Sequence, residues 1–159
     1  MTRREREVTD MNEIIGILDR AKIVHVGMID GNMPYVVPMN YGYTMEDGRL
    51  TLYLHGATVG RKLDIIRVNP NVFIEIDTDV VPFEGPSACQ HGTCYSSVMG
   101  EGVAELIEDI EGKKQVLTHL MKTQTGKDFE FTDKMVTGVT GIKITVSDYT
   151  AKKRPMPKR

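Results

Sequence analysis

Apolar side chains recur at helical spacing near the start of the chain and then switch to alternation, and the switch points mark the elements. Met11, Ile14, Ile15, Leu18 and Ala21 follow Asp10 and Glu13, a pair that resembles a capping box, so a first amphipathic helix is expected over about residues 10–20. From Lys22 the pattern turns β-rich as KIVHVGMI and breaks at Asp30-Gly31. It resumes as MPYVVPMNYGY, turns again at Asp47-Gly48 and continues as RLTLYLH. Three such runs joined by tight turns predict a three-stranded meander. Pro34 and Pro38 have no N–H to give a ladder, so the middle run must have an open edge, a bulge or a ligand beside it.

After His55 the spacing becomes helical through Leu63 and Ile66 and stops at Pro70, which predicts a short helix behind the third strand. In NVFIEIDTD, Val72, Ile74 and Ile76 face one way and Glu75 and Asp77 the other, as in a strand with one wet face. VVPFEGPSACQHGT has no period and reads as a long loop, mobile and open to a ligand. YSSVMGEGVAELIE returns to strand character, with Gly100 and Gly102 marking a bulge or a close backbone approach. Val116, Leu117, Leu120 and Met121 then form the stripe of a helix near 110–124 that stops at Gly126. GIKITVSDY supplies a sixth strand. Six strands joined as hairpins, with two or three flanking helices and no βαβ order, read as a mainly β protein built on a small antiparallel barrel.

Composition narrows this picture. At 159 residues the chain is long enough for one full core, and 40% hydrophobic against 26% charged residues places it among soluble globular domains. No apolar run reaches the roughly 18 residues of a membrane span, and MTRREREVTD does not read as a secretory signal, so a cytoplasmic location is expected. The 20 Lys and Arg against 22 Asp and Glu argue against a nucleic-acid surface. Five of those bases sit in residues 151–159, expected to be a disordered basic tail, which leaves 15 against 22 and a charge of −7 in residues 1–150, the expected domain. Cys89, His91 and Cys94 cluster, but no second Cys or His pair stands at a zinc-site spacing, so no metal is assigned.

The segment with chemistry is His55-Gly56-Ala57-Thr58-Val59-Gly60-Arg61-Lys62, a strand end running through a glycine loop into a helix. Two cations in a helix first turn oppose the macrodipole, and a bound anion reverses that sign. A phosphate there would accept the free backbone N–H groups, a donor from Thr58, the planar fork of Arg61 and the point charge of Lys62. A solvated basic turn has the same residues, so spacing alone leaves both readings open. The usual dinucleotide, Walker, metalloprotease and serine-hydrolase motifs are absent from the sequence.

PYVVPMNYGY, LYLHGATVGRK, NPNVFIEID and YSSVMGEGVAELIED, in that order, resemble the FMN-binding split-barrel proteins of the pyridoxamine 5'-phosphate oxidase-like superfamily, and within it most closely the nitroimidazole-resistance (Nim) branch. The resemblance implies a six-stranded split β-barrel and a homodimer with FMN at the subunit interface. Arg61 and Lys62 match the phosphate-binding pair, and Val37, Pro38, Met39 and Asn40 match the strand along the flavin ring. His55, Gly56 and Ala57 match the loop between ring and phosphate, and Ser97 the position that reaches the cofactor of the other subunit. The chain departs from the family pattern at Ser96 and in the loop QHGT, where substrate would sit. It also lacks tryptophan and the Arg-bearing C-terminal segment of a pyridoxamine 5'-phosphate oxidase, which argues against vitamin synthesis.

The expected activity is an FMN-dependent oxidoreductase that takes electrons from a small donor and reduces a small oxidant, such as a nitroimidazole or another nitroaromatic. His55 is the candidate acid, as the residue near the ring that titrates near neutrality. A non-catalytic flavin or haem binder and a deazaflavin-dependent reductase are the rival readings. Val98, Met99 and Val103 are expected to form apolar strand surface covered in the dimer.

Overall fold

The computed structural model describes residues 3–157. Its strands are β1 (Glu7–Val8), β2 (Ile23–Asp30), β3 (Met33–Asn40), β4 (Gly42–Glu46), β5 (Arg49–Ala57), β6 (Asn71–Phe83), β7 (Gly92–Ile107) and β8 (Val139–Arg154). Its helices are α1 (Met11–Arg20), α2 (Arg61–Val68), α3 (Ile110–Thr125) and α4 (Asp133–Val136). The strands form one antiparallel sheet in the order β3-β2-β6-β7-β8-β5-β4, with β1 on β8, and the sheet curls into the split barrel. Eight strands replace the six expected, because the run MPYVVPMNYGY divides at Tyr41 and the N-terminal Glu7–Val8 adds a short pair to β8.

The division at Tyr41 also replaces the expected meander. β3 pairs with β2 and β4 pairs with β5, so two strands adjacent in sequence end up at opposite ends of the hydrogen-bonded path. Tyr41 is fully buried at the crossing, and its hydroxyl donates to the Leu18 carbonyl at 2.7 Å and the Ala21 carbonyl at 3.3 Å. A buried phenol needs such partners, and here they tie the split to the end of α1.

Local chemistry sets the helix ends. The Asp10 side chain accepts from the Glu13 amide at 2.9 Å and starts α1, which turns Ile14, Ile17 and Leu18 into the core. Such a cap contributes about 1 kcal/mol. Asp109 does the same for α3 through the Gly112 amide at 2.8 Å, and Gly126 ends that helix with φ of 73°. The barrel interior is filled by alternate strand residues, among them Leu52, Leu54, Ile74, Ile76, Ile142 and Ile144.

β7 and β8 meet closely at Gly100 and Gly102. A Cβ at Gly100 would stand 2.5 Å from the Asp148 carbonyl oxygen and one at Gly102 2.9 Å from that of Thr145, and the register shifts between Glu101 and Gly102. Bulge and close approach therefore occur together.

Two boundaries differ from expectation. The loop expected over VVPFEGPSACQHGT is shorter than expected: β6 runs to Phe83 and β7 starts at Gly92 opposite it, which leaves residues 84–91 as the connection. A register shift between Thr78 and Val81, with Asp79 at φ of 57°, breaks the alternation that would have revealed the strand. The basic tail likewise starts later. β8 continues through Arg154 against β7, with Ala151 buried, so residues 151–154 are strand, and residues 158 and 159 lie outside the described part. Among the described residues no helix is long and apolar enough to cross a membrane.

Candidate functional site

β3 is the edge strand of the sheet, and its prolines fix which backbone groups are open. Pro34 and Pro38 stand opposite Ile29 and His25, and a residue without an N–H is accommodated only at a non-hydrogen-bonded pair. Val36 and Asn40 share their parity. Backbone groups of these residues therefore turn to the open edge, while Tyr35, Val37 and Met39 bond β2 and pack half-buried against the core. Asn40 is further held by its side-chain amide, which donates to the Lys22 carbonyl at 3.2 Å.

Across the split, β5 ends at His55, Gly56 and Ala57, paired with Gly141, Thr140 and Val139 of β8. The loop Thr58-Val59-Gly60 is exposed and leads into α2 through Gly60, whose φ of 147° is one that side-chain-bearing residues rarely adopt. No side chain caps α2; the Leu63 and Asp64 amides donate to the Gly60 carbonyl, and those of Arg61 and Lys62 keep donor capacity. Gly56 has its own reason to be small: a Cβ there would stand 2.8 Å from Lys62 Cε, so the lysine stem lies over the glycine. His55 is half-buried with Nδ1 enclosed and without a hydrogen-bond partner among the described residues. Burial first, and the Lys62 charge second, push its pKa below 6.5. The neutral imidazole is therefore favoured, so any proton it delivers becomes available as the pH falls.

Arg61 turns toward β2 and β3. Its Nε and an Nη each approach Asp30 Oδ2 at 2.7 Å, and the guanidinium lies 4.6 Å from the centre of the Tyr35 ring. Asp30 and Tyr35 were not singled out from the sequence, because a turn aspartate and a strand tyrosine are common and only the fold brings them to Arg61. The two cations, the uncapped helix start and the glycine loop could hold an anion, and the open β3 edge could offer backbone donors and acceptors to a flat heterocycle.

Ser97 is elsewhere in the protomer. It pairs with Lys152 on β8, whereas His55 pairs with Gly141, the partner of Ile107. From 97 to 107 along β7 is about 30 Å at the usual rise per residue. Ser97 is nearly buried, opposite Asp77, and it does not join His55 within one chain. Its neighbour Ser96 is fully buried and donates to Asp79 Oδ2 at 2.9 Å, and Asp79 in turn holds Arg20 through two hydrogen bonds of 2.8 and 3.1 Å.

The outer face of β2, β3, β6 and β7 carries an apolar groove of about 460 Å³ whose lining includes Ile29, Pro34, Val36, Phe73 and Val103. Val36 is 59% exposed and Val103 49%. Met99 also faces outward, but Val98 is fully buried inside the barrel and does not belong to this surface.

Three solved structures illustrate what the chain resembles. A protein of Bacteroides thetaiotaomicron with a proposed role in 5-nitroimidazole antibiotic resistance is 33% identical, with 92% of this chain and 86% of that one covered and a TM-score of 0.78. A flavocytochrome of Azotobacter vinelandii is 21% identical, with 96% and 71% covered and a TM-score of 0.76. An FAD and haem binding protein of Mycobacterium smegmatis is 17% identical, with 97% and 76% covered and a TM-score of 0.78. At those two lower identities the likeness is one of fold. No curated protein sequence matches the chain. The family model for pyridoxamine 5'-phosphate oxidase matches residues 10–153, nearly the whole barrel and through the end of β7 and most of β8, and the chain belongs to that family.

Proposed function

We propose that the chain is an FMN-dependent oxidoreductase that works as a homodimer and reduces a small, flat oxidant of the nitroaromatic class. The observation that carries this reading is His55 Nδ1, a buried polar atom with no partner, beside a glycine cradle, two cations and an open strand edge. An unpaired buried polar atom costs about 1–3 kcal/mol, and a ligand that supplies the missing hydrogen bond removes that cost. The 33% identity to the protein with the proposed nitroimidazole-resistance role supports the choice of oxidant.

The residues fit the cofactor from end to end. The side chains and backbone amides of Arg61 and Lys62, with the Thr58 hydroxyl, would hold the phosphate. Val37, Pro38, Met39 and Asn40 would lie along the ring, with His55, Gly56 and Ala57 between ring and phosphate. Bound FMN would supply the redox chemistry, accepting a hydride equivalent from a reduced donor and giving electrons to the oxidant. The chain itself positions, excludes water and handles the proton. His55 is neutral near pH 7 and so serves first as a hydrogen-bond partner, and proton delivery from it grows as the pH falls. Ser97 would act from the second subunit, since it lies about 30 Å along β7 from the His55 level in its own chain. The exposed apolar face at Val36, Phe73 and Val103 would be covered by that subunit.

The test is to purify the protein, release and identify the cofactor by mass, then reduce the loaded protein anaerobically and mix it with a 5-nitroimidazole. Deazaflavin or haem in the extract, or no reoxidation faster than that of free reduced FMN, would overturn the reading.

A further inference from the structure

His25, Glu75 and Asp77 form a cluster that the site above does not use. His25 on β2 stands directly opposite Glu75 on β6, and Asp77, two residues on, shares the face of Glu75. His25 Nδ1 lies 3.1 Å from Glu75 Oε2, and one donor atom from each of the three residues lies within 4.8 Å of the others. His25 and Glu75 are half-buried and Asp77 is exposed, so the donors meet solvent on the outer face rather than the core.

We propose that these three side chains bind one divalent first-row transition ion, with Zn2+ as the occupant. Adjacent ligands at bond lengths of about 2.0–2.2 Å are separated by about 3.0–3.4 Å in tetrahedral or octahedral shells. His25 and Glu75 already have that separation, and a side-chain rotation of exposed Asp77 completes a set of three. Both carboxylates lack a Lys or Arg nitrogen within 4.0 Å among the described residues, the one ion-pair partner of Glu75 being His25. The ion would therefore neutralise two otherwise uncompensated negative charges.

The donor set selects the ion. Mg2+ and Ca2+ take oxygen ligands, and the imidazole turns the preference toward zinc and its neighbours. Metal binding replaces the Nδ1···Oε2 hydrogen bond: Nδ1 gives its lone pair to the ion, and the single N–H of the neutral ring then sits on Nε2. Three protein ligands leave a coordination position for water or a small anionic ligand, as in zinc sites that are open rather than purely structural. Pro38 stands on one side of His25 and Met99 on the far side of Glu75, so the site lies one strand in from the β3 edge. It adjoins the strand proposed to run along the flavin ring, and none of its three ligands belongs to the residues proposed to hold the flavin. The sequence carried no spacing motif for it, because His25 and Glu75 are 50 residues apart and only the β2–β6 register joins them.

The experiment is calorimetric titration of chelator-treated protein with ZnCl2, in a Cys89→Ser background that removes the exposed thiol. Co2+ absorption reports the ligand field and MgCl2 serves as control. One Zn2+ per chain is expected, with affinity falling about 100-fold in His25→Ala and at least about 10-fold in Asp77→Asn, and no heat with Mg2+. His25→Gln, close in size and a poor ligand, replaces His25→Ala if circular dichroism shows that the latter does not fold. Absence of saturable uptake, or uptake unchanged in the folded His25 variant, would overturn the proposal. Flavin content measured on the same samples reads the other site separately.

Discussion

Arg61 is held by Asp30: Nε and an Nη of the guanidinium reach the same carboxylate oxygen, Oδ2, at 2.7 Å, over the face of Tyr35. The cation proposed to bind phosphate therefore has an internal anion as its partner, and a ligand phosphate would compete with Asp30 for it.

Magnitudes decide that competition. The Arg61 side chain is 60% exposed, and an ion pair in that setting contributes about 0–1 kcal/mol. Charge-assisted hydrogen bonds to a phosphate contribute about 1.5–3 kcal/mol each, so a bound phosphate would be expected to prevail. Arg61→Ala should weaken FMN by about 10- to 100-fold with the fold intact, and Lys62→Ala should weaken it as well. Asp30→Asn, which frees the guanidinium, should leave affinity unchanged or tighten it. Fluorescence titration of apoprotein with FMN measures all three, and unchanged affinity in both Arg61→Ala and Lys62→Ala would remove α2 as the phosphate site.

The apolar outer face leads to a second expectation, about assembly. Obligate interfaces commonly bury more than about 2,000 Å², and exposed Val36, Phe73 and Val103 would give such an interface an apolar centre. Sedimentation at micromolar concentration should show a dimer. Val36→Asp, a change at an exposed position that leaves the core alone, should give a folded monomer with reduced flavin retention. A wild-type monomer that still holds FMN contradicts the shared-site reading.

How far the sequence reached depends on the distance over which each feature is encoded. The Asp10 cap, the Gly126 stop and the alternation of Val72, Ile74 and Ile76 are local, and all three stand where the pattern placed them. The pairing of β3 and β4 with different neighbours is not local: Tyr41 looks like one more strand residue until its hydroxyl meets the end of α1. The hairpin at 80–93 was hidden because a bulge around Asp79 shifts the period by which a strand is read. At the site, the strand end, glycine loop and helix start of HGATVGRK were legible, and they stand where the pattern placed them. The Asp30 and Tyr35 contacts of Arg61 were not, since they depend on how β2 and β3 approach α2.

Stability should fall on mild acidification, with His55 as one cause. Burial lowers the pKa of His55, and also of His119, below 6.5 in the folded state. Between the ordinary value and the lowered one, the unfolded chain binds more protons than the folded one. The stability from keeping these rings neutral is present above 6.5 and is lost as the pH falls from there toward the folded values. Glu75, raised by burial and by Asp77, works the opposite way at the acid end. Thermal melts of apoprotein from about pH 7.5 to 5.5 should show a falling Tm, with a smaller fall in His55→Gln. An identical slope in the variant would mean that His55 is not desolvated in solution.

The same imidazole bears on turnover. If the reduced flavin passes electrons to a 5-nitroimidazole and carries it to the amine, each step also needs protons, and His55 lies beside the expected ring position with a free Nδ1. A positioned acid contributes about 10²- to 10⁴-fold, so His55→Ala should slow reoxidation of the reduced protein by that much, beyond the roughly 10-fold loss of FMN affinity expected from the missing hydrogen bond at Nδ1. Because its pKa lies below 6.5, the protonated fraction grows on acidification, and the wild-type rate should rise as the pH falls through that region. His55→Ala should lose this rise along with the rate. Anaerobic stopped-flow mixing across the pH range measures both. A rate loss with the pH dependence retained would make His55 a positioning residue and put the proton source elsewhere, whereas loss of both assigns the proton to its ring.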